Sequence, residues 1–122
     1  MRRASWLLIV ACVLCLQGAV LVKPVEIVRA PAIVYDDETI VLMIRVEPRD
    51  GNRLLVIGAW DGESSVRTSL EQLEGEDSPR TRWVRWSRLA AGDLELRAYV
   101  FGEGGERGMD RKPLKVMARW GE

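Results

Sequence analysis

The 122-residue chain contains no histidine, and its two cysteines, Cys12 and Cys15, both lie inside an N-terminal apolar run. A chain processed behind that run would carry neither imidazole nor thiol. Ser-His and Cys-His nucleophiles, a histidine general base and zinc sites of cysteine or histidine are thereby excluded. The disulfide staple that many small exported domains use is excluded too. What remains for chemistry is carboxylates, hydroxyls, lysines and tyrosines. The carboxylates gather in turns, at Asp36-Asp37-Glu38, at Asp61 and Glu63, and at Asp93. In a sheet sandwich these turns fall at one end, where clustered carboxylates could hold calcium, which takes six to eight oxygens. Their spacing matches no EF-hand loop, and solvated turn carboxylates are the plainer reading. A two-carboxylate hydrolase would need an acidic pair in one cleft, and no feature of the sequence builds one. The expectation is a non-enzymatic protein with no cofactor and no metal.

A second group of residues suits recognition. The stretch RTRWVRWSRL, residues 80 to 89, places four arginines and two tryptophans in ten positions with no acid among them. On a strand from Thr81 to Trp86, Val84 and Trp86 share one face while Thr81, Trp83 and Arg85 share the other. Leu89, three residues beyond Trp86, selects Trp86 as the buried ring. Trp83 then faces outward beside Arg85, where the two flat groups could stack on a sugar or a base. The plainer reading is a cross-strand aromatic pair overlaid by arginine stems and offset by Glu95 or by the acids of residues 71 to 77. Tyr99 and Trp120 are candidate helpers, so the candidate binding set is Trp83, Arg85, Tyr99 and Trp120. Trp60, ending the most apolar strand, is expected in the core or at its rim. Nucleic acid is not expected as a partner, because 18 basic and 18 acidic residues cancel to zero and leave no global field. The glycines at 102, 104, 105 and 108 lack the strand-loop-helix setting of a phosphate cradle and read as a mobile hairpin loop.

The elements that must position these residues are strands. Hydrophobic residues make up 48% of the chain and charged residues 30%, a globular balance. Residues 1 to 22 form an export-type segment, with Arg2 and Arg3 ahead of an apolar run, and residues 23 to 122 form one domain. Three fates fit that segment: a cleaved signal peptide, a retained membrane anchor helix, or a lipobox ending at Cys12. In each of them the domain works outside the cytoplasm, periplasmic or extracellular, and meets a membrane only through residues 1 to 22. Beyond Pro24 the pattern has a period of two. Ile40, Leu42, Ile44 and Val46 alternate with Val41, Met43 and Arg45, and RLLVIGAW follows after the PRDGN turn. Val66, Thr68 and Leu70 mark a short, weaker strand. Leu94, Leu96, Ala98 and Val100 alternate with Glu95, Arg97 and Tyr99, and Leu114, Val116, Ala118 and Trp120 mark the last strand. With a first strand near Val25 to Val34, broken by Pro31, the total is about seven, without an amphipathic helix. The expected fold class is all-β, an antiparallel sandwich.

The segment RWSRLAAGDLELRAYVF resembles the E-strand, corner and F-strand of immunoglobulin-like (Ig-like) and fibronectin type III-like modules of bacterial exported proteins. Those modules often carry an aromatic residue, then Leu, then Gly, ahead of an alternating strand. This chain departs from them in lacking an inter-sheet cysteine pair and in having Leu94 where a tyrosine is common. The resemblance implies an Ig-like sandwich and leaves activity open, since such folds host many functions. The function that fits is protein-protein contact at the cell envelope by an exported or membrane-tethered module. A small carbohydrate-binding module using Trp83 is the alternative.

Overall fold

The computed structural model describes residues 22–119, so the signal, anchor and lipobox expectations, and Trp120, lie outside the described residues. Among the described residues no helix is long and apolar enough to cross a membrane. Eight strands appear in chain order: β1 Val25–Arg29, β2 Ile33–Tyr35, β3 Thr39–Val46, β4 Asn52–Asp61, β5 Ser64–Gln72, β6 Thr81–Ser87, β7 Gly92–Gly102 and β8 Gly105–Met117. A single turn of 3-10 helix, Gly75–Asp77, lies between β5 and β6. The strands form a three-stranded sheet, β1-β3-β6, and a five-stranded sheet, β2-β8-β7-β4-β5.

The period-two pattern makes the core. Ile27, Leu42, Ile44 and Val46 point inward from the smaller sheet and Leu55, Ile57, Leu96, Val100 and Leu114 from the larger, all essentially without exposure. Trp86 is also buried, at 3% exposure, with Leu89 beside the core at the following corner. Both expectations from the spacing of residues 86 and 89 hold.

Three expectations need correction. The first strand is two strands, because Pro31 in Ala30-Pro31-Ala32 lacks an N–H to continue a ladder. The chain therefore changes sheets, from antiparallel pairing of β1 with β3 to parallel pairing of β2 with β8. The count among the described residues becomes eight, and the sandwich is not purely antiparallel. The glycine-rich segment at 102 to 108 is a hairpin, but its loop is shorter than expected. Gly102 pairs with Gly105, leaving a two-residue turn, and Gly105 onward belongs to β8. Gly108 is needed for close approach, since a Cβ there would stand 2.6 Å from Cβ of Pro24, where the chain crosses β8 on entering β1. The last strand ends at Met117, so Ala118 is exposed beyond it.

A sandwich has two open sides, and polar side chains close both. On one side β5 and β6 are the facing edges. There Trp86 Nε1 donates to Ser69 Oγ at 2.8 Å, Arg82 pairs with Glu71 at 3.2 Å, and Arg67 donates to the carbonyl of Ser87 at 3.0 Å. On the other side the Asp110 carboxylate of β8 accepts the backbone N–H of Ile27 in β1 at 2.8 Å, with Lys23 Nζ 3.3 Å away. Partners across the gap offset the cost of burying such groups, although Nε of Arg82 is buried without a hydrogen-bond partner.

The outer face of the larger sheet is held by aromatic contacts. The Trp60 ring lies over Gly58, where an added Cβ would come 2.6 Å from the ring and 2.8 Å from the Arg67 carbonyl oxygen. A backbone oxygen in a ladder cannot move aside cheaply. Gly58→Ala is therefore expected to destabilise the domain by about 1 to 3 kcal/mol through overpacking. The measurement is urea unfolding, read as a lower midpoint at unchanged slope; an unchanged midpoint would mean that the ring moves freely.

Candidate binding face around Trp83

The smaller sheet has one face in the core and one toward solvent, and alternation decides which residues each receives. Outward from β6 come Thr81, Trp83, Arg85 and Ser87, and outward from β3 come Thr39, Val41, Met43 and Arg45. Register places them in rows. Arg29, Met43 and Trp83 stand side by side across β1, β3 and β6. Val41 stands beside Arg85 in the next row, and Glu26, Arg45 and Thr81 form the row on the other side. With strands about 4.8 Å apart, the row from Arg29 to Trp83 spans the whole sheet.

Trp83 is 57% exposed, in contrast to Trp86 three residues later. Val28 and Val41 are exposed on the same face, and Met43 is half-buried between its neighbours. The charges around this apolar strip are unequal. Glu26 is taken by Arg45 at 2.6 Å, whereas Arg29 and Arg85 have no carboxylate within pairing distance among the described residues. The face thus presents an apolar centre with two uncommitted guanidinium groups at its margin. The corner after β6 is held in a left-handed conformation at Arg88, φ 59°, with its N–H on the carbonyl of Glu38. A non-glycine residue in that region carries a conformational cost, and there it turns the chain out of the face.

The candidate residues do not form one cluster. Trp83 and Arg85 share the face just described. Tyr99 belongs to β7 and faces outward from the larger sheet, on the opposite side of the sandwich. Its ring meets Trp60 edge-on at 5.9 Å and stacks on Phe101 at 6.0 Å. Arg97 lies over Trp60 at 5.0 Å and pairs with Glu95 at 2.6 Å. The Glu95 hydrogen bond, with a further one involving Tyr99, holds the Arg97 guanidinium above its ordinary pKa against the opposing effect of desolvation. Trp60 is thus a rim residue of an aromatic cluster whose groups satisfy one another. Since sheets in a sandwich pack about 10 Å apart, one small ligand cannot touch Trp83 and Tyr99 together.

The acidic turn at 36 to 38 finds its cation within the chain. Arg119 Nε contacts the Asp37 carboxylate at 2.8 Å, Nη2 approaches Glu38 at 3.6 Å, and the guanidinium lies 4.0 Å over the Tyr35 ring. The Asp37 hydrogen bond comes first among the causes that raise the pKa of Arg119. Among the described residues no three acidic, histidine or cysteine side chains converge as a metal site would require. Sequence reasoning did not single out Val28, Arg29, Val41 and Met43 as neighbours of Trp83. The signal for two of them was present, since β3 is apolar at Val41 and Met43 as well as at its inward positions.

Strand order and core together define the class, an Ig-like β-sandwich module. No protein-family model matches the chain, and no curated protein is significantly similar to it. Solved structures do resemble it. A superoxide reductase (neelaredoxin) from Ignicoccus hospitalis superposes with a TM-score of 0.60 at 15% identity, covering 77% of this chain and 80% of that one. The CARDB domain of the PF1109 protein from Pyrococcus furiosus, solved in complex with di-metal ions, superposes with a TM-score of 0.56 at 12% identity, covering 78% and 92%. At these identities the likeness shows the fold alone. Residues 22 to 119 contain neither histidine nor cysteine, the donors that transition-metal redox sites chiefly use.

Proposed function

We propose that this chain is a non-enzymatic Ig-like module, exported or tethered at the cell envelope, that binds a protein partner through the Trp83 face of its smaller sheet. The observation that carries the reading is the exposed Trp83 ring beside Met43 and Val41, with Arg29 and Arg85 left uncommitted at the margin. Interface centres are rich in tryptophan, methionine and arginine. The unpaired arginines fit a partner with an apolar knob flanked by carboxylates. Support for export comes from the cationic and apolar pattern of residues 1 to 22. The residues that follow that segment contact the domain: Arg49 donates to the Val22 carbonyl at 3.2 Å, and Lys23 pairs with Asp110. A tethered form would therefore hold the domain close to its anchor.

The glycan alternative draws on the same ring. Its weakness is the company: the face offers no uncommitted carboxylate or amide to read sugar hydroxyls. The test is affinity capture from the envelope fraction of the native cell, followed by a binding isotherm with the identified partner. Trp83→Ala is expected to weaken binding by about 2 kcal/mol or more, roughly thirtyfold, and to change stability by less than about 0.5 kcal/mol. Arg85→Glu should weaken it too and reverse its salt dependence. A partner bound equally well by Trp83→Ala would remove this face from the function. Retention of wild type on immobilised glycans, lost in Trp83→Ala, would establish the carbohydrate-binding reading instead.

A further inference from the structure

We propose that the outer face of the larger sheet rests on the bilayer that holds residues 1 to 22, through an apolar half that adjoins the point where the chain enters the domain. The inference rests on the tethered form of the module and is independent of what binds Trp83. Residues paired across an antiparallel ladder project to the same side. Register therefore sets Leu70, Val56, Tyr99 and Met109 side by side on the outer face, across β5, β4, β7 and β8. Leu54 and Phe101 are paired beside that row. Leu70 is the most exposed of the large apolar side chains among the described residues, at 65%, and the other five are half-buried. The outer face of a solvated antiparallel sheet commonly carries polar residues at such positions, and contiguous apolar patches mark protein or membrane contacts.

The position of the patch selects the bilayer as its occupant. Leu54 and Phe101 follow directly on the Asn52-Gly102 pair, about 7 Å along the strand. Gly102 packs against the Gly51 carbonyl oxygen, and Arg49, in the same loop as Gly51, donates to the Val22 carbonyl at 3.2 Å. With Lys23 also bonded to the domain, on Asp110, an embedded segment ending at residue 22 brings the bilayer surface up to this loop and to the apolar rows beside it. The side-chain types suit that place. Tyrosine and tryptophan settle at headgroup level with the ring in the apolar boundary and the polar tip in water, as Tyr99 and the adjoining Trp60 would. Arg111, largely exposed in the row beyond Met109, can lay its stem along apolar surface and direct its guanidinium to a phosphate. Charge of both signs occurs at the entry end, where Arg53 pairs with Glu103 at 3.0 Å. The contact is therefore apolar insertion rather than attraction to anionic headgroups. A bilayer on this face leaves Trp83, on the opposite side of the sandwich, turned toward water.

The experiment places a nitroxide label on the full-length chain in vesicles of phosphatidylethanolamine and phosphatidylglycerol. Cys12→Ala and Cys15→Ala remove the native thiols, and Leu70→Cys, Val41→Cys or Glu63→Cys supplies one labelling site, each at an exposed side chain. Flotation of the vesicles shows whether the chain is tethered. Power saturation then compares access of oxygen, which concentrates in the bilayer, with access of a water-soluble nickel chelate. The Leu70 label should lose access to the chelate and gain access to oxygen, while the labels at Val41 and Glu63 keep access to the chelate. The loss should persist in about 1 M salt, where the screening length is only about 3 Å. A chain that fails to float would remove the tether, and the proposal with it. A floating chain whose Leu70 label stays open to the chelate would overturn the docked face alone. A Leu70 label shielded from both reagents would assign the patch to a protein or to a second copy, and immersion of the Val41 label would assign the membrane to the Trp83 face; each would overturn the proposal.

Discussion

Trp86→Ala is expected to remove about 3 to 5 kcal/mol of folding free energy. The whole stability of a domain of this size is about 5 to 15 kcal/mol, so the variant would stand at the edge of unfolding. Two losses combine. The indole occupies the core side of β6, and its removal leaves a cavity that neighbouring strands, fixed by their ladders, cannot collapse to fill. Its N–H also bridges the open side of the sandwich to Ser69 on the facing sheet, so that link disappears. Trp86→Phe separates the two contributions, since it retains most of the volume and loses the donor. It should cost less than the alanine variant and more than a surface change. Chemical denaturation with a second, spectroscopically independent probe measures all three proteins. An alanine variant within about 0.5 kcal/mol of wild type would show that Trp86 does not sit in the core.

Asp110→Ala is expected to cost about 1 to 3 kcal/mol although it removes no apolar contact. The carboxylate is only 14% exposed and accepts the Ile27 N–H, a donor at the edge of the smaller sheet with Ile27 itself fully buried. Removing the acceptor leaves that part-buried donor unpaired at the open side of the sandwich, and the cost is the desolvation of an unsatisfied group. Asp110→Asn keeps an acceptor oxygen and should recover most of the loss. Hydrogen exchange provides the local signature, because the amide of Ile27 should lose protection in Asp110→Ala more than the amides of β7 do. Equal losses across the domain would assign Asp110 a merely global role.

Much of this architecture is legible in the chain because it is local. The inward sets of β3 and β7 alternate cleanly, and the spacing from Trp86 to Leu89 is enough to separate the buried tryptophan from the outward one. What cannot be read is non-local. Pro31 announces a break, but whether the chain resumes in the same sheet depends on which strand offers free hydrogen-bonding groups, here β8. Tyr99 and Trp83 both read as outward, yet outward from one sheet is the far side from the other. Asp110 stands in GMDRK without any local mark, and its role arises only where β8 passes β1. In β5 the apolar positions Val66 and Leu70 face solvent, while Arg67, Ser69 and Glu71 serve the seam with β6. An edge position inverts the usual reading of alternation. Val41 and Met43 carried a usable signal, since they make β3 apolar on its outward side as well as on the side that faces the core.

The parallel pairing of β2 with β8 has a mechanical meaning. The chain enters β1 at the end of the sandwich that holds the β7-β8 turn and leaves β8 at the opposite end. A load pulling residues 22 and 119 apart would therefore run along the strands. The bonds from Lys115 N–H to Ala32 and from Asp36 N–H to Met117, each 2.9 Å, would be sheared together instead of being opened one after another. A module anchored at its start and held by a partner farther along would give way abruptly under tension, with β2 acting as its latch.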